Sequence, residues 1–201
     1  MYGIFPMIGG ERMAVARDTK GMFADELEAM MERLPLSKVR MRDLCARCRV
    51  ERRVFYYHFK DKYDLVAWMF ERDQQAASDK HAPYTESFYA EAHRQLWARR
   101  DFYRRAFEED SQNSIWRYLV QFSVEANERV LKIHLGVPKL SREATFEARH
   151  FAYGNVGCVV EWLRGNVSAT PAQLASDMFA CMPAALRKAY EAQGAAQGGG
   201  R

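Results

Sequence analysis

The stretch that most limits what this chain can become is Val50–Lys62, VERRVFYYHFKDK, in which aromatic and basic residues interleave at helical spacing. Phe55 and Phe59 stand four residues apart, so on a helix they share one face, and that face has to be buried. Arg52, Arg53, Tyr56, Tyr57 and His58 lie elsewhere around the same cylinder, with Lys60 and Lys62 just beyond. One side is therefore hydrophobic, while the other offers hydrogen-bond donors and aromatic hydroxyls. A helix of that kind suits the major groove, where two phosphate backbones flank readable base edges. A solvated basic face on an ordinary surface helix would look similar, and the charge distribution weighs against it. From Arg33 to Lys62 there are ten Lys/Arg and three Asp/Glu, a net +7, whereas the whole chain carries +4, so the remainder sums to −3. The positive charge is local, which is the footprint of a polyanionic partner.

The preceding residues complete a helix-turn-helix. Arg42–Arg47 makes about two helical turns with Leu44 inward, and Cys48-Arg49-Val50 has the length of the intervening turn. Asp61 is placed to cap the following helix, with Asp64 at its third position in a capping-box-like start.

The segment Leu34–Leu65 resembles the DNA-binding domain of the TetR family of bacterial transcriptional regulators. The family closes its recognition helix with Phe-Tyr-x-His-Phe-Lys-x-Lys, and here the run reads Phe55-Tyr56-Tyr57-His58-Phe59-Lys60-Asp61-Lys62. The likeness covers about residues 17–70. It implies that Tyr56, His58 and Lys62 hold phosphates, and that Arg42, Arg52 and Arg53 contact bases or flanking phosphates, with Tyr57 beside them. Three positions depart from the family pattern. Arg40 stands where a capping Thr or Ser is usual; it can reach a phosphate but cannot cap. Arg49 replaces the turn Gly, at a cost of about 1 kcal/mol if the position keeps φ > 0. Glu51 replaces Ser or Thr and repels phosphate unless it accepts from a cytosine amino group. These departures bear on the sequence that is read, not on whether double-stranded DNA is the partner.

A chain of 201 residues with 48% hydrophobic residues can bury a sizeable core. It has no apolar run near the ~18 residues of a membrane span, and its first residues, MYGIFPMIGGERM, lack a signal-peptide layout. Residues 1–16 read as a disordered leader, and the protein as cytoplasmic, with no membrane association. Cys45 and Cys48 form a C-x-x-C without a second ligand pair or a thioredoxin-like setting, so they read as reduced core residues. No metal and no cofactor is expected. An enzyme is not expected either, since no Ser/His/Asp set, phosphate-binding Gly loop or His/Glu metal spacing is present.

The rest of the chain reads as helix, giving an all-α fold: a helix-turn-helix domain over 17–62, a helical sensing and dimerisation domain over 63–190, and a disordered tail over 191–201. Phe23, Leu27, Met30, Met31 and Leu34 form one apolar stripe ended by Pro35. Further helices are expected over about 62–78, 85–99, 101–110, 113–135, 141–165 and 171–190, with a loop at Lys80–Pro83. Gly136 with Pro138 marks a stop, Thr170-Pro171 a start, and Pro183 a kink or end near Met182. Phe102–Phe122 also resembles, more weakly, the C-terminal region of the subgroup that includes dihydroxyacetone-kinase regulators.

In the family the aromatic-rich helices of the second half enclose an effector pocket. On the helix 113–135, Ile115, Leu119, Phe122, Ala126, Val130 and Ile133 trace an inward stripe. Trp116, Asn127 and His134 flank it, so that Trp116, Phe122, Asn127 and His134 become candidate effector contacts. A buried Asn127 bonded to a neighbouring carbonyl is the structural alternative. The last two helices carry more apolar surface than one core covers, which points to a homodimer seam with Phe151, Gly154, Gly157, Val160, Met178 and Met182. The expected function is a homodimeric regulator on a palindromic operator, with recognition helices about 34–36 Å apart or a multiple of that, acting as a repressor released by a small molecule. The alternative is the same fold controlled by a protein partner, coactivator-like, with no small-molecule pocket.

Overall fold

In the computed structural model, residues 10–78, 80, 81, 85–108 and 115–198 are described. They form ten α-helices and one short 3-10 turn, with no strand among the described residues. Their contacts divide the chain into two units, Met1–Leu65 and Val66–Arg201. No described helix is long and apolar enough to cross a membrane.

The first unit contains α1 (Gly10–Met31), a 3-10 turn (Leu36–Lys38), α2 (Met41–Arg47), α3 (Arg52–His58) and the first turn of α4 (Lys62–Ser78). The apolar stripe of α1 is buried at Phe23, Leu27, Met30 and Met31, whereas Leu34 is 42% exposed because the helix stops three residues earlier. Phe55 and Phe59 are buried as their spacing requires, and Phe23 meets both rings edge-on at 5.1 and 6.5 Å. Cys45 and Cys48 are buried free thiols, and burial is the main cause that pushes the Cys48 pKa up to about 11. Both side chains lie in the core of the first unit. Arg40, the residue before α2, makes no side-chain cap, as a long basic residue dictates. Arg49 sits at φ 55, so the turn keeps its left-handed backbone although it carries no glycine. The Asp61 carboxylate accepts from the Tyr63 and Asp64 N–H groups at 2.8 and 2.9 Å, and Asp64 accepts from the Lys60 N–H at 2.8 Å.

The second unit contains the remainder of α4, then α5 (Glu86–Ala98), α6 (Arg100–Phe107), α7 (Ile115–Leu135), α8 (Arg142–Leu163), α9 (Pro171–Ala180) and α10 (Ala184–Gly198). Helix α5 packs on α9, and α7 packs on α8 and α10. Thr170 and Gln173 complete a capping box, with Pro171 at the first helical position. Gly136 takes φ 66, and the Val137 N–H returns to the Lys132 carbonyl at 3.1 Å, closing α7 as a left-handed cap. Trp97 and Trp162 stack at 4.6 Å, and the Trp162 indole donates to the Ala169 carbonyl at 2.8 Å.

Several expected boundaries shift. The single helix over 171–190 is two, α9 and α10, broken before Pro183 because proline cannot donate and clashes with the preceding turn. Residues 191–198 of the expected tail continue α10, whose Ala and Gln content favours helix despite Gly194. Residues 199–201 lie outside the described residues. Of the expected leader, 1–9 lie outside them as well, and 10–16 fall within α1. The loop expected at Lys80–Pro83 has only Lys80 and His81 described, and of 109–114 nothing is described.

Because Arg49 carries a Cβ in left-handed backbone, Arg49→Gly should raise the stability of the first unit by about 0.5–1 kcal/mol, the relief of strain exceeding the added unfolded-state entropy. Arg49→Gln, which removes the charge and keeps the strain, should gain less. Urea denaturation midpoints of the three proteins check this.

Candidate nucleic-acid interface and core cavity

Helix α3 has seven residues, and only Phe55 of them is fully buried. Val54 and His58 are half-buried, and the other four side chains of the helix are exposed. Arg40, Arg42, Glu51, Arg52 and Arg53 are exposed, Tyr56 is 49% and Tyr57 84% exposed, and His58 is half-buried. The structure thus brings eight of the nine expected DNA-facing side chains onto the solvent side of one small unit. Their mutual contacts are loose and polar. Arg52 donates to the Tyr56 hydroxyl at 3.3 Å, Arg42 to Asp43 at 3.2 Å, and Arg53 pairs with Glu51 at 2.9 Å. Exposed pairs of this kind are worth little and are exchangeable for phosphate. Glu51 holds the guanidinium beside it, a use for a carboxylate at this position that the sequence did not suggest. His58 is held below its ordinary pKa, first by burial and second by the charge of Lys20.

Lys62 is placed differently. Its ammonium donates to the Ser37 and Val39 carbonyls at 3.0 and 3.2 Å and lies 5.5 Å from the Tyr63 ring centroid. These bonds tie the start of α4 to the strand of chain between α1 and α2. The side chain is half-buried and most of its donors are committed to protein.

The second unit holds a cavity of about 360 Å³. Helix α4 lines it with Phe70, Glu71, Gln74, Gln75 and Ser78; α5 with Phe88, Tyr89, Ala92, His93 and Leu96; α7 with Leu119, Phe122, Ser123 and Asn127. Ala152, Asn155, Val156 and Val159 of α8 and Met178 of α9 complete it. The volume is at the lower end of the ~300–1,000 Å³ of small-molecule sites, and the mixture of apolar walls with a few amides and hydroxyls is theirs too. Exposed Glu71, Gln75 and Phe122 mark its mouth, where the Tyr118 hydroxyl donates to Glu71.

Of the four expected effector contacts, Phe122 and Asn127 line this cavity and Trp116 and His134 do not. Trp116 packs edge-on against Tyr153 at 5.8 Å, and His134 is exposed. The phase of α7 accounts for this placement: its buried row is Ile115, Leu119, Val120, Val124, Asn127, Val130 and Leu131, and Ile133 is 71% exposed. Aromatic Phe122 had pulled the expected stripe about one position around the helix. Asn127 itself is 4% exposed and fully engaged, its Nδ2 donating to the Ala148 carbonyl at 3.0 Å and its Oδ1 accepting from the Tyr190 hydroxyl at 2.7 Å. The structural alternative holds for Asn127, which pins α7 to α8 and α10. His93, which the sequence did not single out, also lines the cavity.

The expected dimer residues also divide. Phe151, Val160, Met178 and Met182 are buried within the monomer, because α8 and α9 turn these rows to α7, α5 and α10. Gly154 is exposed and Gly157 half-buried, and a Cβ on either would meet nothing within 4 Å. They belong to an outer row of α8 with Phe146, His150, Tyr153 and Cys158, in which Phe146 is 68% and Tyr153 52% exposed. An i, i+4, i+7, i+8 row of apolar and small residues facing solvent is what marks an uncovered face.

Comparison with known proteins agrees with this arrangement. Residues 28–69, which hold α2 and α3, match the family described as bacterial regulatory proteins, tetR family. Residues 94–183 match a transcriptional regulator C-terminal region of the same group. The fold is similar to a solved structure titled dihydroxyacetone kinase operon activator DhaS, with a TM-score of 0.56 and 18% identity over 82% of this chain and 93% of that one. No curated protein sequence matches the chain. The helix-turn-helix unit, the helical second unit and both matched segments agree: the chain belongs to the tetR family of bacterial transcriptional regulators.

Proposed function

We propose that this regulator binds a palindromic operator as a homodimer and represses until a small molecule enters the second unit. The observation that carries the reading is the cavity itself, because five of its lining residues belong to α4, the helix that begins at Lys62 directly after the recognition helix. A ligand touching Phe70, Gln74 and Ser78 acts on an element that is covalently continuous with the DNA-reading segment. To lower operator affinity 100-fold it has to favour the non-binding arrangement by about 2.7 kcal/mol, within the usual range of allosteric coupling. The dimer face in this reading is the outer row of α8, with Gly154 and Gly157 permitting close approach of a second copy. The residues DNA contacts are Arg40, Arg42, Arg52, Arg53, Tyr56, Tyr57 and His58, while Lys62 positions the helix they stand on. A second reading reverses the sign of control: the structurally similar regulator is titled an activator. Transcription from the operator with and without the protein separates the two.

Two comparisons test these assignments. Arg52→Ala should reduce the slope of log affinity against log salt by about 1 per subunit, with the unfolding midpoint unchanged. Lys62→Ala should leave that slope alone and cost about 1–2 kcal/mol of stability through the lost carbonyl bonds. Fluorescence anisotropy across a salt series, paired with denaturation, reads both; a Lys62 effect confined to the salt slope would return it to the phosphate contacts. For the dimer, Gly157→Glu should give a folded monomer with unchanged helical circular dichroism. Val160→Glu, by placing a charge in the core, should cost the fold itself. Sedimentation velocity showing an intact Gly157→Glu dimer would place the seam elsewhere.

A further inference from the structure

Among the described residues that line the cavity, Glu71 is the one carboxylate, and no Lys or Arg accompanies it. An exposed carboxylate by itself is an ordinary solvated group, and its setting is what distinguishes this one. The Tyr118 hydroxyl donates to one of its oxygens, but a phenol brings no charge. The cations of the surrounding helices are committed to other carboxylates. Arg72, the next residue, pairs with Asp73 at 3.6 Å and lies over the Trp68 ring, and Arg99 pairs with the same Asp73 at 2.7 Å. Lys80 and Arg94 both pair with Glu91. Burial pushes the His93 pKa down to about 4, so this lining residue is neutral at pH 7. The charge of the described lining is therefore negative, and it is concentrated at the mouth.

The same mouth is aromatic. The hydroxyl bond sets the Tyr118 side chain beside the Glu71 carboxylate, and the Tyr118 ring stacks with Phe122 at 6.4 Å, the two planes 18° apart. Phe122 lines the cavity, and Phe70, Phe88 and Tyr89 are also among its walls. A carboxylate next to aromatic rings attracts an organic cation twice, by Coulomb attraction and by the negative ring faces. An anion would meet the Glu71 charge at the entrance and would be desolvated inside without a counter-charge. A neutral apolar molecule would gain from the walls and nothing from the mouth.

We infer that the cavity takes an organic cation: a ring-bearing, largely apolar molecule with one protonated amine or quaternary nitrogen. Its charge sits at Glu71 beside Tyr118 and Phe122, and its apolar part enters the cavity. The inference rests on reading the cavity as the effector site, and it is tested by binding alone, without DNA. Calorimetric titration of the full chain at pH 7 with 1-naphthylmethylamine, 1-naphthylmethanol and 1-naphthoate compares a cation, a neutral analogue and an anion of similar size. The amine should bind about tenfold more tightly than the alcohol, and the naphthoate most weakly of the three. Glu71→Gln, which keeps an acceptor for Tyr118 and removes the charge, should bring the amine down to the alcohol level and leave the alcohol unchanged. Added salt should weaken the amine and not the alcohol. Should the variant fold poorly, the three titrations of the unsubstituted protein still decide. Equal binding of amine and alcohol, naphthoate as tight as the amine, an amine preference that survives Glu71→Gln, or no binding of any of them would overturn the assignment. An amine that binds as expected but leaves the operator complex intact would sink the regulatory reading and leave the ligand chemistry standing.

Discussion

A helix of seven residues cannot hold itself together in water, since nucleation is unfavourable and isolated helices are marginal below about 12–15 residues. Helix α3, proposed above to read DNA, is that short, so its existence depends on the aromatic contact of Phe23 with Phe55 and Phe59. Those rings leave α3 no freedom to rotate. With Phe55 at 0% exposure, Arg52, Arg53, Tyr56 and Tyr57 have only solvent to face. The remaining features of the first unit serve the same end. Arg49 accepts left-handed backbone to bring the chain from α2 into α3, and Lys62 fastens the far side to the Ser37 and Val39 carbonyls. A basic, donor-rich surface is presented at fixed angle because an apolar one beneath it is closed.

The second unit solves a different problem, which is to enclose space without collapsing into it. Its helices are joined by buried polar bonds as well as by apolar packing. Asp73 accepts from Arg99 at 2.7 Å and from the Tyr103 hydroxyl at 2.5 Å, linking α4 to the α5–α6 corner and to α6. Glu91, 2% exposed, gathers Lys80, Arg94 and Gln95, and Asn127 joins α7 to the Ala148 carbonyl and Tyr190. Such bonds are costly to break singly and have directional geometry, so they fix helix positions around a void that nonspecific apolar contact would tend to fill.

The sequence was most legible where a single side chain has a single physical consequence. The four-residue spacing of Phe55 and Phe59, the Thr170-Pro171 start and the Gly136 stop all appear in the structure as read, and so does the all-α class. It was least legible where a helix has neighbours on two sides. Phe122 looked inward by hydrophobicity and stands 39% exposed at a cavity mouth, and Phe151, Val160, Met178 and Met182 looked like seam residues and are monomer core. Periodicity measures how much apolar surface a helix has, not which partner covers it. His93 was invisible for a related reason: one histidine among five shows its burial beside Trp162 and Tyr89 only once α5 and α8 are packed.

The proposed role of α3, a charged helix anchored by aromatic rings, is to read base sequence and not merely to adhere to phosphate. Selection of bound duplexes from a randomised pool at about 0.15 M salt tests it most directly, because at that ionic strength phosphate contacts alone bind weakly and without preference. An inverted repeat should be enriched, with half-sites separated by about one helical turn of DNA or a multiple of it. A pool that stays random after repeated rounds, while total binding still falls with salt, would contradict it.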